Sequence, residues 1–336
     1  YKEFVPLDGK FRPNVVLQVK NGPIDFQPRE PFHPLFGALE KTPLALELQI
    51  TQEYLGQSIH LVYLAGMWKE ILDSDTYAKG PGSTVARIVD GSAAGHTTSS
   101  IVGVANTGSD RNWCGHHFAQ ANWYAFGRLA WDNDLSAEAI ADEWVRMTWS
   151  NDPLVLDAIK TMMLSSWEAC INYMTPLGLH HIMQEGHHYG PDPGFNAAKR
   201  ADWNNVYYHR ADTEGVGFDR SSTGSNAISQ YHSHLREQFN DMDTCPEELL
   251  LWFHHVPWDH GLRSGQTLWG ELQQRYDAGV AFVKEMDSIW QSLQAKIDPR
   301  RHKHVSERLK QQLENARLWR EVCIDYFGRF ASMENS

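Results

Sequence analysis

Three residues near the start of the chain, Lys20, Asp25 and Glu53, carry side chains suited to one kind of reaction. Two carboxylates facing one mouth can hold a water between them and take its proton, and a nearby ammonium can neutralise an acidic group on a substrate. Lys20 and Asp25 flank a rigid Asn21-Gly22-Pro23 breaker. Further on, Asn106 is followed by Asp110 and Arg111. The same residues also have a structural reading. Asp25 and Glu53 each suit a helix N-terminus, where a carboxylate accepts backbone N–H bonds and opposes the dipole, and Lys20 would pair with one of them.

The middle of the chain, 180–260, is rich in His, Tyr, Trp and Gly. Sugar rings have apolar C–H faces that lie against indole and phenol rings while their hydroxyls need polar partners. Trp203, Tyr207, Tyr208, Trp252 and Trp258 could build such a surface, although each aromatic taken alone reads more simply as core. The doublets His180–His181, His187–His188 and His254–His255, with Glu185 close by, raise a metal site. No HExxH spacing is present, and adjacent histidines on an extended loop point apart. Hydrogen-bonding or substrate-contact roles are expected for them, with no metal and no cofactor.

Three segments read as buried strands that run into these polar loops: "VVLQVK" at 15–20, "LALELQIT" at 44–51 and "IVGVAN" at 101–106. A helix is predicted after the second, over 53–72, from Leu61, Leu64, Trp68 and Leu72, and another after the third, over 119–131. Repeated strand, loop and helix units make a parallel sheet covered on both faces, either doubly wound or closed into a (β/α)8 barrel. No glycine-rich phosphate fingerprint follows a strand, which disfavours dinucleotide binding. In a barrel, reactive groups gather where strands end, and that rule selects Lys20, Asp25, Glu53 and Asn106. From about residue 135 the pattern turns helical: "SAEAIADEWVRMTW" opens on a capping-box-like Ser136, and "PLVLDAIKTMMLSSWEACINYM" opens on proline. Two long amphipathic segments close the chain and are expected to lie antiparallel.

Composition removes several function classes. The 336 residues are 42% hydrophobic and 21% charged, with no apolar run of membrane-spanning length. A net charge of −12 without a basic stripe argues against nucleic-acid binding. Cys114, Cys170, Cys245 and Cys323 are widely spaced, which fits a reduced compartment better than a disulfide framework. The first residue is Tyr1 and a strand pattern follows almost at once, so a piece of a longer protein is expected.

The stretches "LQVKNGPIDFQPREPFHPLFG", "QITQEYLG", "GVANTGSDRNWCGHHFAQANWYAFGRLAW", "HHYGPDPG", "GFDRSSTGSNA" and "LLWFHHVPWDH" together resemble the α-glucuronidases of glycoside hydrolase family 67, over essentially the whole chain. The resemblance implies an α/β plus α fold: the last three βα units of a (β/α)8 barrel at 1–134, strands six to eight, then a mainly helical C-terminal domain at 135–336 that supports a homodimer. It implies inverting hydrolysis of the α-1,2 bond between glucuronic or 4-O-methylglucuronic acid and the terminal xylose of xylo-oligosaccharides. Asp25 and Glu53 match the carboxylates on the base side, Lys20 a residue that binds the substrate's uronate, and Trp203 an aromatic that closes over the sugar. The family's general-acid glutamate lies upstream of the part that residues 1–7 resemble, so it has no counterpart here. Without it the chain would be a non-catalytic uronic-acid-binding or assembly fragment. A cytoplasmic site is expected, with a periplasmic or secreted one as the alternative, and the fragment alone is expected to be poorly soluble.

Overall fold

The computed structural model describes residues 1–98, 100–109 and 111–331; Asp110 lies outside the described residues. A parallel sheet occupies the N-terminal third, in the order β1 (Leu17–Lys20), β2 (Leu44–Gln49), β3 (Ser100–Val104). Leu17 aligns with Leu44 and Ala45 with Ser100, so the three strands start nearly level and end on one side. The central strand carries the buried run, with Leu44, Ala45, Leu46 and Leu48 all inaccessible, while the outer two are partly exposed. Parallel strands buried on both faces read as continuous apolar runs, which is why β2 is the most hydrophobic of the three.

Between β2 and β3 lie α1 (Ala65–Asp73) and α2 (Val85–Val89), and after β3 come α3 (His117–Trp131), α4 (Ala137–Thr148) and α5 (Pro153–Met174). The predicted helix over 53–72 is corrected to α1 alone. Gly56, Gln57 and Ser58 all have positive φ, at 83°, 49° and 55°, which no α-helix accommodates. The backbone N–H groups of Leu61, Tyr63 and Leu64 donate instead to Gln312 Oε1, Ser166 Oγ and Asn122 Oδ1. Side chains from three other helices thus satisfy donors that a helix would have satisfied internally.

Other helix starts follow their sequence signals. Ser136 Oγ accepts the Ala139 N–H, Asp152 caps α5 with Pro153 at its first position, and Thr267 Oγ1 accepts from Gly270. The rest of the chain comprises α6 (Asn205–His209), β4 (Gly215–Val216), α7 (Ser233–Asn240), α8 (Leu250–Phe253), β5 (Val256–Pro257), α9 (Leu268–Ser292) and α10 (Pro299–Ala331). The short strands β4 and β5 pair antiparallel.

The helices α9 and α10 are antiparallel: Trp290 Nε1 near the end of α9 donates to His302 O near the start of α10, while Arg320 far along α10 donates to Asp277 much earlier in α9. Helix α5 packs against α4, α9 and α10. Its contact with α9 is close at Gly279, where a Cβ would lie 2.5 Å from Tyr173 N. Only glycine permits that approach of two helix backbones. One apolar core runs from β2 through α1 and α5 to Trp290, Trp319 and Phe327. All four cysteines are free and buried, and no described helix is long and apolar enough to cross a membrane.

Candidate active site

The loop after β1 is built around Glu30. Its Oε2 accepts the Ile24 N–H at 2.7 Å and its Oε1 the Gln27 N–H at 2.8 Å, so one buried carboxylate holds both sides of the bend that carries Asp25. A Cβ at Gly22 would meet Glu30 Oε2 at 2.3 Å; glycine is required there for close approach. Burial pushes the Glu30 carboxyl up to about 7, partly opposed by the two backbone donors. Glu30 was not among the residues singled out from sequence, and its spacing to Ile24 and Gln27 is an ordinary loop spacing that carries no signal.

Asp25 faces two partners. Its Oδ1 is ion-paired with Lys20 Nζ, and its Oδ2 accepts the Tyr54 hydroxyl at 3.3 Å. The Lys20 ammonium also lies 4.9 Å from the Phe26 ring. Burial, then the Asp25 and Glu53 charges, raise the Tyr54 phenol well above its ordinary range, so it stays a donor.

Glu53 follows β2 and is enclosed by donors from three segments. Gln49 Nε2 lies 3.1 Å and Asn106 Nδ2 3.4 Å from its Oε2, and His188 Nδ1 lies 3.0 Å from its Oε1. Asn106 is fixed in turn by its N–H donating to Thr51 Oγ1. The His188 ring stacks on Tyr54 with centroids 4.4 Å apart. The two carboxylates on neighbouring strand ends are therefore linked through a stacked pair, Asp25 to Tyr54 and Tyr54 to His188, with His188 on Glu53.

The helix-capping reading of Asp25 and Glu53 is not what the described residues show, since neither carboxylate receives the N–H bonds of a helix start. The ion-pair part of that reading is observed, between Lys20 and Asp25.

A polar cavity of about 270 Å³ beside Glu53 is lined by Thr51, Gln57, Ser58 and Asn106, and one of about 290 Å³ lies beside Lys20, Gly22 and Pro23. A larger one, about 530 Å³, lies elsewhere, among Arg29, Glu70, Glu168 and Phe239. Its Arg29 is paired with Glu70 and Glu168 and its Arg275 with Glu271, and neither Asp25 nor Glu53 lines it.

Trp203 is 57% exposed, with the Arg200 guanidinium over its ring. It connects to the Asp25 loop in three steps. Tyr208 donates its hydroxyl to Asp202 O, the Tyr208 ring stacks on His181 at 4.3 Å, and the His181 N–H donates to Gln27 Oε1. Trp252 and Trp258 are 2% exposed and belong to the core, so they offer no sugar-facing surface.

The histidine doublets divide by residue. His180 is buried between Gly178 O and the Arg220 guanidinium, and burial, then the Arg220 charge, push its imidazole well below its ordinary range. His187 Nδ1 accepts the Tyr189 N–H, and His255 Nδ1 pairs with Gly217 O. Among the described residues no group of three His, Cys, Asp or Glu side chains could hold a metal.

Two sequence models of one family cover the chain: the glycosyl hydrolase family 67 middle domain matches residues 1–113 and the family 67 C-terminus matches 114–336. Alpha-glucuronidase A of Emericella nidulans is 43% identical over 330 residues, covering 96% of this chain and 38% of that protein. Probable alpha-glucuronidase A of Aspergillus clavatus is 41% identical over 326 residues, covering 96% and 38%, and that of Aspergillus flavus is 40% identical over 337 residues, covering 99% and 39%. The chain thus spans less than two-fifths of the length of these curated relatives.

Proposed function

The chain belongs to glycosyl hydrolase family 67, and from that membership we propose that it forms the C-terminal portion of an inverting α-glucuronidase. The substrate is an aldouronic acid: glucuronic or 4-O-methylglucuronic acid linked α-1,2 to the terminal xylose of a xylo-oligosaccharide. The observation that carries this reading is the pairing of Asp25 and Glu53 at adjacent parallel strand ends, joined through Tyr54 and His188.

Inversion requires a base that activates water on the sugar face opposite the leaving group, with its acid partner roughly 6.5–9.5 Å away. In this proposal Asp25 and Glu53 hold the water and accept its proton. Three side chains, Gln49, Asn106 and His188, contact the two oxygens of Glu53 and fix its rotamer. Lys20 binds the substrate's uronate, Trp203 covers the sugar, and the general acid belongs to residues preceding Tyr1. Glu53→Ala or Asp25→Ala in the full-length enzyme lowers turnover of aldouronic acids by several orders of magnitude; near-normal turnover in either removes the assignment. Should the full-length protein bind glucuronic acid in calorimetry without hydrolysing aldouronic acids, the uronic-acid-binding reading replaces it.

For the fold, we take β1, β2 and β3 as strands six to eight of a (β/α)8 barrel, with residues 1–134 its closing part and 135–336 a helical domain. The even parallel register, the exposure of both outer strands and the packing of α3 on β3 support this. A homodimer through the helical domain would cover Met147, Leu154 and Leu164, large apolar side chains that α4 and α5 expose. Light scattering of the full-length protein tests it; a monomer at micromolar concentration refutes it.

A further inference from the structure

The loop 184–190 brings a histidine onto Glu53 from 135 residues away in sequence. It is anchored on both sides. Gln184 N–H donates to Gly190 O, the Tyr189 hydroxyl meets His60 Nε2 at 3.1 Å, and Trp319 Nε1 of α10 donates to Tyr189 O at 3.0 Å. His60 is itself buried, held at Nδ1 by the Tyr173 hydroxyl of α5, and burial pushes it down to about 3, so it is a neutral fixed post. Within this frame His188 adopts a left-handed backbone, φ 52°, which a non-glycine residue holds only where its surroundings compensate. The compensating contacts are its bond to Glu53 and its stack on Tyr54.

We propose that His188 is a positioning residue for the base side of the site: it fixes Glu53 through Nδ1 and Asp25 through the stacked Tyr54, so the helical domain sets the geometry of both carboxylates. This rests on the reading of Asp25 and Glu53 as the water-activating pair. Against an ionised Glu53 the imidazole carries its hydrogen on Nδ1 and donates it. Glu53 already has Gln49 and Asn106 on its other oxygen, so loss of His188 frees one oxygen and lets the carboxylate rotate about the remaining bonds. Tyr54 loses the ring that holds its plane, and its hydroxyl drifts from Asp25. Misplacement of a reacting group by about 1 Å costs on the order of 100-fold in rate.

The test uses the full-length enzyme and aldouronic acid, with His188→Ala, His188→Asn and His188→Gln compared for kcat and KM. An asparagine amide N–H reaches close to the Nδ1 position, whereas glutamine's lies near Nε2, pointing away from Glu53. His188→Ala is expected to lower kcat by about 10- to 100-fold with KM changed less than about twofold. His188→Asn, which restores the bond to Glu53 but not the ring on Tyr54, recovers part of that loss and His188→Gln does not. Tyr54→Phe, which keeps the stack and loses the hydroxyl, gives a smaller fall in kcat. If Glu53→Ala is inactive and His188→Ala keeps its kcat, the positioning role alone is overturned. It is equally overturned if asparagine and glutamine behave alike. Turnover by Glu53→Ala, or an inactive wild-type enzyme, overturns the base-side reading and this inference together.

Discussion

Lys20 Nζ and Asp25 Oδ1 form an ion pair across the Asn21-Gly22-Pro23 turn, and both side chains stay open to solvent, 39% and 49% exposed. A pair this exposed contributes little stability, about 0–1 kcal/mol. In the proposed reading a bound uronate competes with Asp25 for the ammonium. Lys20→Ala is expected to raise KM for an aldouronic acid at least about tenfold. Wild type should discriminate strongly between the free acid and its uronate methyl ester, and Lys20→Ala should not. Equal discrimination by both proteins excludes Lys20 as the uronate site.

The folded-state pKa of Glu30, about 7, lies above its ordinary 4.5, with burial the leading cause. Between these values the folded protein holds the proton more tightly than the unfolded chain. The stabilisation is complete below about 4.5 and is lost as pH rises through about 7, a span on the order of 3 kcal/mol. Urea unfolding of the full-length protein at pH 5 and pH 8 reads this directly. Glu30→Gln, whose amide NH₂ would oppose the Ile24 or Gln27 N–H, should be destabilised by about 1–3 kcal/mol at low pH and show a shallower pH dependence. An unchanged pH slope in that variant assigns the titration to other groups.

Gly22→Ala would drive a methyl to 2.4 Å from Glu30 Cβ, and Glu30 cannot retreat without releasing Ile24 or Gln27. A loss of about 1–3 kcal/mol is expected, together with reduced kcat because Asp25 rides on the same bend. A variant with wild-type melting temperature and wild-type kcat would show that the loop relaxes freely.

Arg29, 6% exposed, bonds Glu70 of α1 and Glu168 of α5 and lies over Trp167, tying the Asp25 loop to both helices. Both glutamates are partly exposed and can be rehydrated, whereas the guanidinium cannot. Removing both acids, Glu70→Ala with Glu168→Ala, should therefore cost about 3–5 kcal/mol, more than the apolar replacement Arg29→Met. Thermal unfolding of the two variants in parallel decides it; the reverse order refutes the asymmetry.

Trp203 is 57% exposed and, among the described residues, the cation over its ring is the exposed Arg200 side chain, so Trp203→Ala should change the melting temperature little. Its expected effect is on substrate affinity, a rise in KM of about tenfold or more from the lost contact with the sugar face. A stability loss without a KM change would return Trp203 to an ordinary packing role.

Much of the frame was legible in the sequence because the signals are local. The strand runs around Val19, Leu46 and Val102 and the apolar spacing of α3, α5, α9 and α10 each lie within one element, and Ser136, Asp152 and Thr267 announce the helix starts they cap. The segment 53–64 misled for the same reason. Its apolar spacing is helical, but the fold buries those side chains on an irregular backbone whose donors are met by Asn122, Ser166 and Gln312. Residue type alone also could not separate exposed Trp203 from buried Trp252 and Trp258.

By itself the sequence determined which groups are available, Lys20, Asp25 and Glu53, and that Lys20 ends a strand while the other two lie in the loops that follow one, since strand ends are set by short-range apolar patterning. Only the tertiary structure decided how those groups are held. His188 reaches Glu53 across 135 residues and Gln312 reaches Leu61 across 251. A contact between distant segments leaves no period in either of them; it exists only once helix packing has brought the two segments together.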